Sequence, residues 1–181
     1  MDKEIGKTAA EICQHFHLGE VAKKLLQDGM TPQQFLNSLI QQQQYVDAVR
    51  FLAHALPKSE AIKWAWLCAR QHHGANPPEK ISAALEAVDK WIAEPSEENR
   101  RAAMTAAERA EFSTPAGSAA LAVFFSGGSM APPDAPVVPP EKNLTPNSVA
   151  GAVLLAAVLK EPEKAAEKYR AFLAEGVKEL R

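Results

Sequence analysis

The chain has 181 residues, enough for one domain with a hydrophobic core, and its 46% hydrophobic and 23% charged residues are ordinary for a soluble globular protein. The 20 basic and 22 acidic residues are mixed along the chain and give a net charge of −2, so no basic stripe is available for a phosphate backbone and nucleic-acid binding is not expected. Alanine is the unusual component, at 33 residues, and together with the few β-branched residues it predicts an all-α fold whose helices approach closely.

The segments before residue 57 predict a series of short helices. A capping box, Thr8-Ala9-Ala10-Glu11, predicts a helix through about His15, and a second helix is expected over residues 20–28, before Gly29. Thr31-Pro32 is the natural order of N-cap and first helical residue, and it predicts the next helix. Tyr45, Val49, Leu52 and Leu56 then recur on one face of a further helix, which ends at Pro57.

Residues 57–74 predict a central helix, because its apolar side chains leave almost no polar face. An amphipathic helix follows over residues 81–92, and an alanine-rich helix lies beyond Ser96. Thr114-Pro115 and Thr145-Pro146 each predict a helix start, and the last helix comes after Pro162. The apolar run at residues 149–159 is about half the length of a membrane-spanning helix, so it predicts a buried helix and no membrane insertion.

Eleven of the 13 prolines fall into two groups, and this division sets the predicted architecture. Six of them mark helix starts, whereas five crowd into residues 132–140. We therefore predict an irregular bundle of about eight to nine short helices in antiparallel hairpins, with one long proline-rich loop. The chain is expected to be a single domain over residues 1–181, with a main bundle (1–125), a Gly/Pro-rich strap (126–145) and a C-terminal helical hairpin (146–181) packed on the bundle.

Two matching Cys/His spacings are the clearest candidate for chemistry. Cys13 and His17 are four residues apart, as are Cys68 and His72, so each pair shares a helix face and the four could ligate a tetrahedral zinc ion. Specific zinc spacings usually involve tight loops, however, and a lone cysteine in an apolar helix is commonly a core residue. We therefore assign no metal and no cofactor, and keep these four residues only as candidates.

No arrangement of residues predicts catalysis. Ser126 and Ser129 lie in a glycine-rich loop that lacks the strand and helix of a nucleophile elbow, and Gly127-Gly128 lacks the spacing of a phosphate-binding loop. Glu97-Glu98 follows Ser96 at a helix start, where the helix dipole favours negative charge. The sequence therefore predicts that the protein is not an enzyme.

The proline cluster is the segment where a function is easier to suggest than elsewhere, because a long loop in a compact domain tends to be functional or a linker. Its Pro-x-x-Pro spacings are typical of extended polyproline ligands. It could instead be a stiff strap across the bundle, and this alternative stays open. The residues expected to bind a partner protein are Phe124, Phe125, Pro133, Pro136, Val137, Val138 and Pro139.

Three stretches, residues 45–57, 95–103 and Ser126-Gly127-Gly128-Ser129 ahead of the prolines, resemble an uncharacterised bacterial family over nearly the whole chain. That family is associated with gene neighbourhoods of type VI secretion systems. The resemblance implies a cytoplasmic accessory or adaptor role, and supplies no catalytic or binding residues.

These observations predict a non-enzymatic interaction protein, an adaptor or chaperone of a bacterial secretion system, whose partner is another protein. A cytoplasmic location is expected because residues 1–6 have no apolar signal region. Two alternatives remain: a small helical domain that binds zinc through the Cys/His pairs, and an immunity-type protein that neutralises a toxin.

Overall fold

A computed structural model describes residues 7–180, and the regular secondary structure in this part of the chain consists only of helices: ten α-helices and one short 3₁₀ turn, with no strand. The predicted all-α class is therefore confirmed. The α-helices are α1 (Ala9–Cys13), α2 (Glu20–Leu25), α3 (Pro32–Gln41), α4 (Tyr45–Ala55), α5 (Lys58–His73), α6 (Glu79–Ala93), α7 (Glu97–Ala110), α8 (Pro115–Phe124), α9 (Leu144–Val158) and α10 (Ala165–Val177), and the 3₁₀ turn is Pro162–Lys164.

Side-chain caps begin three of the helices for which the sequence predicted them, α1, α3 and α8. Thr8 and Glu11 form a complete capping box at α1, and Thr31 and Gln34 form another at α3. The Thr114 hydroxyl accepts from the Gly117 amide at 3.0 Å and caps α8. Because these bonds satisfy amides that have no partner within the helix, they set where each helix begins.

The predicted start of α9 at Thr145-Pro146 was wrong. The helix begins at Leu144, with Asn143 at the N-cap, and Pro146 is its third residue. Proline is tolerated there because amides of the first helical turn have no intrahelical partner to lose. The Thr145 hydroxyl caps nothing and instead donates to the Ala122 carbonyl of α8 at 3.4 Å.

Helix α8 lies at the centre of the bundle, where it packs against α5, α6, α7 and α9. Nine of its ten residues are buried, and most of these are Ala, Gly or Ser. A Cβ atom added at Gly117 would lie 2.0 Å from the Glu111 carbonyl oxygen, and one added at Gly151 of α9 would lie 3.1 Å from Ser118 Oγ. Small residues therefore let α7, α8 and α9 approach closely.

The last helix, α10, is docked through a tryptophan and a glycine. The Trp64 indole of α5 is 1% exposed, and its Nε1–H donates to the Phe172 carbonyl at 2.7 Å. A Cβ atom added at Gly176 would lie 2.8 Å from Trp64 Nε1 and 2.6 Å from Leu52 Cδ2. Gly176 therefore allows α10 to lie close enough for the indole to reach its backbone.

We expect Gly176→Ala to lower the free energy of unfolding by about 1–3 kcal/mol, because the added methyl group overpacks a well-filled core. Urea denaturation measures the change. Gly127→Ala is the matched control, since a Cβ atom there meets nothing within 4 Å and the residue does not have a positive φ. Equal stability of the two variants would contradict this account of α10 docking.

Candidate functional site

The segment between α8 and α9 folds back on itself and does not run straight across the bundle. The Met130 amide donates to the Val138 carbonyl at 2.8 Å, and the Val138 amide donates to Ser129 Oγ at 2.9 Å. A turn lies between these ends, where the Ala135 amide donates to the Pro132 carbonyl at 3.1 Å. We call residues 129–139 the proline loop; its two ends are joined by hydrogen bonds.

The base of the proline loop is held by Arg100 of α7, a residue only 4% exposed. Its Nη1 donates to the Phe124 carbonyl at 2.6 Å and its Nη2 donates to the Ser129 carbonyl at 2.9 Å. Nε and Nη2 also form a bidentate ion pair with Glu97, at 2.7 and 2.8 Å. A buried charge is stable only when it is paired and hydrogen-bonded, and these four bonds meet that requirement.

Arg101, the next residue, adds a second set of contacts to the same loop. Its Nη2 donates to the Ala131 carbonyl at 3.0 Å, and its Nε bonds Glu97 at 2.7 Å. The hydrogen bonds and charges of Arg100 and then Arg101 hold the pKa of Glu97 down to about 2, so this carboxylate is ionised at neutral pH. One turn of α7 therefore carries a network of ion pairs whose arginines hydrogen-bond the backbone of the proline loop.

Gly128 is required beside this network for two reasons. Its φ of +64° is in the left-handed region, which glycine adopts without steric cost. A Cβ atom at this position would also lie 2.8 Å from Arg100 Nε and Nη2. The glycine therefore both turns the chain and leaves room for the guanidinium.

The sequence-predicted partner-binding residues separate into an interior and an exterior group. Phe124 is only 6% exposed, and the Arg100 guanidinium carbon lies 4.7 Å from its ring centroid, so Phe124 is not part of the outer surface. Phe125 is half-buried. The exposed remainder, which we call the apolar tip, consists of Val137 at 76% exposure, Val138 at 47%, and the exposed prolines Pro133, Pro136 and Pro139.

The candidate zinc ligands are not gathered into one site. Cys13 is half-buried in α1, whereas Cys68 is 2% exposed in α5. His17 is exposed, and His72 Nδ1 lies 3.1 Å from the Ala156 carbonyl oxygen. Within residues 7–180, no three His, Cys, Asp or Glu side chains are placed to hold a metal ion together.

Both cysteines are held as thiols by their surroundings. Burial, and then the charge of Asp47, raises the pKa of Cys13 to about 11. Burial also raises the pKa of Cys68, far above its usual range. Because the thiolate is the form that attacks electrophiles and binds metals, neither side chain is prepared for that chemistry at neutral pH.

His73 has a structural role that its sequence position does not reveal. Its Nε2 accepts from the Ala116 amide at 3.4 Å, in the first turn of α8, so the ring acts as a cap. Burial, followed by the neighbouring charges of His72 and Lys160, lowers the pKa of His73 to about 4. The neutral imidazole is therefore the folded-state form at pH 7.

The described residues define the class of molecule: an all-α protein that carries a closed, proline-rich loop anchored by a buried arginine. The chain belongs to the family of unknown function DUF6931, whose sequence profile matches residues 35–179. The expected membership of an uncharacterised family is thus confirmed, whereas its association with type VI secretion stays a prediction. No curated protein and no solved structure matches the chain significantly. None of the helices in the described part of the chain combines the length and apolarity needed to cross a bilayer.

We expect Arg100→Ala to lower the free energy of unfolding by about 2–3 kcal/mol, because two loop-anchoring carbonyls and the carboxylate lose a charged donor. Hydrogen exchange of the Val138 amide should also accelerate, as the loop opens at its base. The control is Arg109→Ala, since this arginine lies exposed on the same helix. Unchanged exchange at Val138 would show that the arginine does not anchor the loop.

The depressed pKa of His73 predicts a loss of stability in acid. The unfolded imidazole takes up a proton below pH 6.5, but the folded one does so only near pH 4, so stability is present above pH 6.5 and is lost as the pH falls between these values. Urea denaturation at about pH 7.5 and about pH 5 should show a smaller acid-induced loss for His73→Gln than for the unmodified protein. His17→Gln, an exposed control, should retain the full loss.

Proposed function

We propose that this protein is a non-enzymatic adaptor that docks the apolar tip of its proline loop into a groove on a partner protein. One observation carries the proposal: the valines of the tip face solvent while the base of the same loop is fixed by a buried arginine. Exposed valines in a free loop would lose much conformational entropy on binding. The two ends of the proline loop are joined by hydrogen bonds, so the loop has already lost most of this conformational entropy in the free protein.

The chemistry of the tip indicates what the partner offers. Pro136, Pro139 and Pro140 have no backbone N–H, and the Val138 amide already donates to Ser129 Oγ, so residues 136–140 present mainly carbonyl oxygens and apolar side chains, with the Val137 amide as the remaining backbone donor. Proline-rich strips of this kind are bound by grooves lined with aromatic side chains, whose indole and hydroxyl groups donate to the carbonyls. The proposed partner is therefore a protein with an apolar, aromatic-lined groove.

The cellular setting is the second part of the proposal. The family resemblance supports an adaptor or chaperone in the cytoplasm of a bacterium, acting with a component of the type VI secretion apparatus. No feature of the described residues favours zinc binding or toxin neutralisation over this role, and neither is proposed.

The partner can be identified by placing a photo-crosslinking amino acid at Val137 in the native host. The matched control carries the same group at Val21, which is also exposed, at 48%, but lies on α2. A protein captured at Val137 and not at Val21 is then purified and its affinity is measured directly. Capture of a protein that is not part of the secretion apparatus would contradict the proposed role in type VI secretion, but it would not contradict docking through the apolar tip.

We expect the double substitution Val137→Asp and Val138→Asp to weaken binding of the purified partner at least about tenfold, because two carboxylates would have to be desolvated in an apolar groove. Stability should change little, since both side chains are exposed. Val21→Asp should leave the affinity unchanged. Equal affinity of the tip variant and the unmodified protein would overturn the docking proposal.

A further inference from the structure

The first two helices are peripheral to the bundle, and we call residues 7–25 the N-terminal lid. Helices α1 and α2 have only five and six residues, too few to stay helical without packing, and they pack on α3 and α4. The lid is joined to α3 through the exposed residues Gln27, Asp28 and Gly29, the last with a φ of +78°. It lies outside residues 35–179, the part of the chain that the family profile matches.

Two polar groups of α4 lie beneath the lid with few hydrogen bonds. Asp47 is 8% exposed, and the Gly19 amide, 3.2 Å from Oδ1, is the only donor that the described residues supply to it. His54 Nε2 is buried and has no hydrogen-bond partner among the described residues. The other ring nitrogen, Nδ1, lies 2.9 Å from the Arg50 carbonyl oxygen, which can only accept, so Nδ1 carries the proton of the neutral imidazole.

Phe16 of the lid covers one face of the His54 ring, with 4.8 Å between the ring centroids and 24° between the planes. Buried polar groups in folded proteins are nearly always hydrogen-bonded, so it is costly to leave Asp47 with one bond and His54 Nε2 with none. Movement of the lid away from α4 would let water reach both groups. The solvation gained by these two groups therefore offsets part of the packing that the lid loses when it opens.

The charges around His54 disfavour a proton on its ring while the lid is closed. Lys7 and His15 of the lid, Lys58 of α5 and Lys142 ahead of α9 line the same cleft as His54, and none of the described residues that line it is a carboxylate. Burial lowers the pKa of His54, the Arg50 carbonyl raises it to a smaller extent, and the charge of His15 lowers it again. A protonated His54 therefore has no anionic partner in this cleft.

We infer that the N-terminal lid opens from α3 and α4 in acid, because His54 accepts a proton more readily in the open state than beneath Phe16. The sign follows from the pKa of His54, which lies below its ordinary value of 6.5 while the lid is closed. The contribution of His54 to closure is complete above pH 6.5 and is lost as the pH falls below that value. Opening exposes the faces of α3 and α4 on which α1 and α2 pack, so the lid is a pH-sensitive device that controls access to this surface.

Native-state hydrogen exchange of the full chain at about pH 7.5 and about pH 5.5 tests the inference. The reporter is the Gly19 amide, whose bond to Asp47 joins the lid to α4. Its protection factor, which corrects for the intrinsic effect of pH on exchange, should fall by about threefold to tenfold in acid. Tenfold is the limit because about pH 5.5 is one unit below the ordinary pKa of histidine. The amides of α5 should be much better protected at both pH values, because the lid opens without unfolding of the bundle.

Two variants assign this acid response to His54. His54→Phe keeps an aromatic ring against Phe16 but cannot take up a proton, so the protection factor of Gly19 should no longer change between the two pH values. His17→Gln is the matched control, because it removes an exposed histidine of the lid and should leave the acid response intact. Circular dichroism establishes that each variant is folded.

A titration of the His54 ring by nuclear magnetic resonance tests the cover itself. The pKa of His54 should be below 6.5 in the unmodified protein and should rise towards 6.5 in Phe16→Ala, which uncovers one face of the ring. Phe112→Ala, a change at an exposed phenylalanine between α7 and α8, should leave it unchanged.

Three results would overturn the inference. The first is equal protection of Gly19 and the α5 amides, which would show that the lid does not open separately from the bundle. The second is an acid response of Gly19 that persists in His54→Phe, and the third is a pKa of His54 that does not rise in Phe16→Ala.

Discussion

The buried guanidinium of Arg100 is the interaction on which the arrangement of the proline loop depends. Removing an arginine from water is costly, so the surrounding backbone must supply acceptors in the plane of its donors. The Phe124 and Ser129 carbonyls do so from the end of α8 and from the start of the loop. The exposed Glu97 balances the charge without becoming buried itself. The need to hydrogen-bond this buried charge therefore fixes the path of the backbone from the end of α8 into the proline loop.

The small residues of α8 are the second requirement for anchoring the proline loop. Because most residues of α8 are alanine, glycine or serine, its neighbours can approach on several sides, and α7 comes close enough for its arginines to reach the backbone beyond α8. With larger side chains on α8, α7 would stand further away. The alanine content and the anchored loop are thus linked, since close helix packing is what brings a charged residue of one helix to the C-terminus of another.

The all-α class and most helix positions followed from local signals that act within a few residues. A Thr-x-x-Glu/Gln box or a Thr-Pro pair specifies a cap through bonds between neighbours, and this predicted α1, α3 and α8. The role of Arg100 could not be predicted in this way. A glutamate followed by arginines three and four residues later is ordinarily an exposed ion pair, and only packing shows that one of these arginines is buried. For the same reason, the sequence placed Phe124 on a binding surface although its ring lies beneath that guanidinium.

Lys58 supports the base of the proline loop from a second helix, since its ammonium group donates to the Ser126 carbonyl at 3.2 Å. Lys58 is the first residue of α5, whereas Arg100 and Arg101, which donate to the Ser129 and Ala131 carbonyls, lie on α7. The chain beyond α8 is therefore fixed by cationic side chains of two helices. Because all three cations donate to backbone carbonyls, these contacts do not depend on the side chains of Ser126, Ser129 or Ala131.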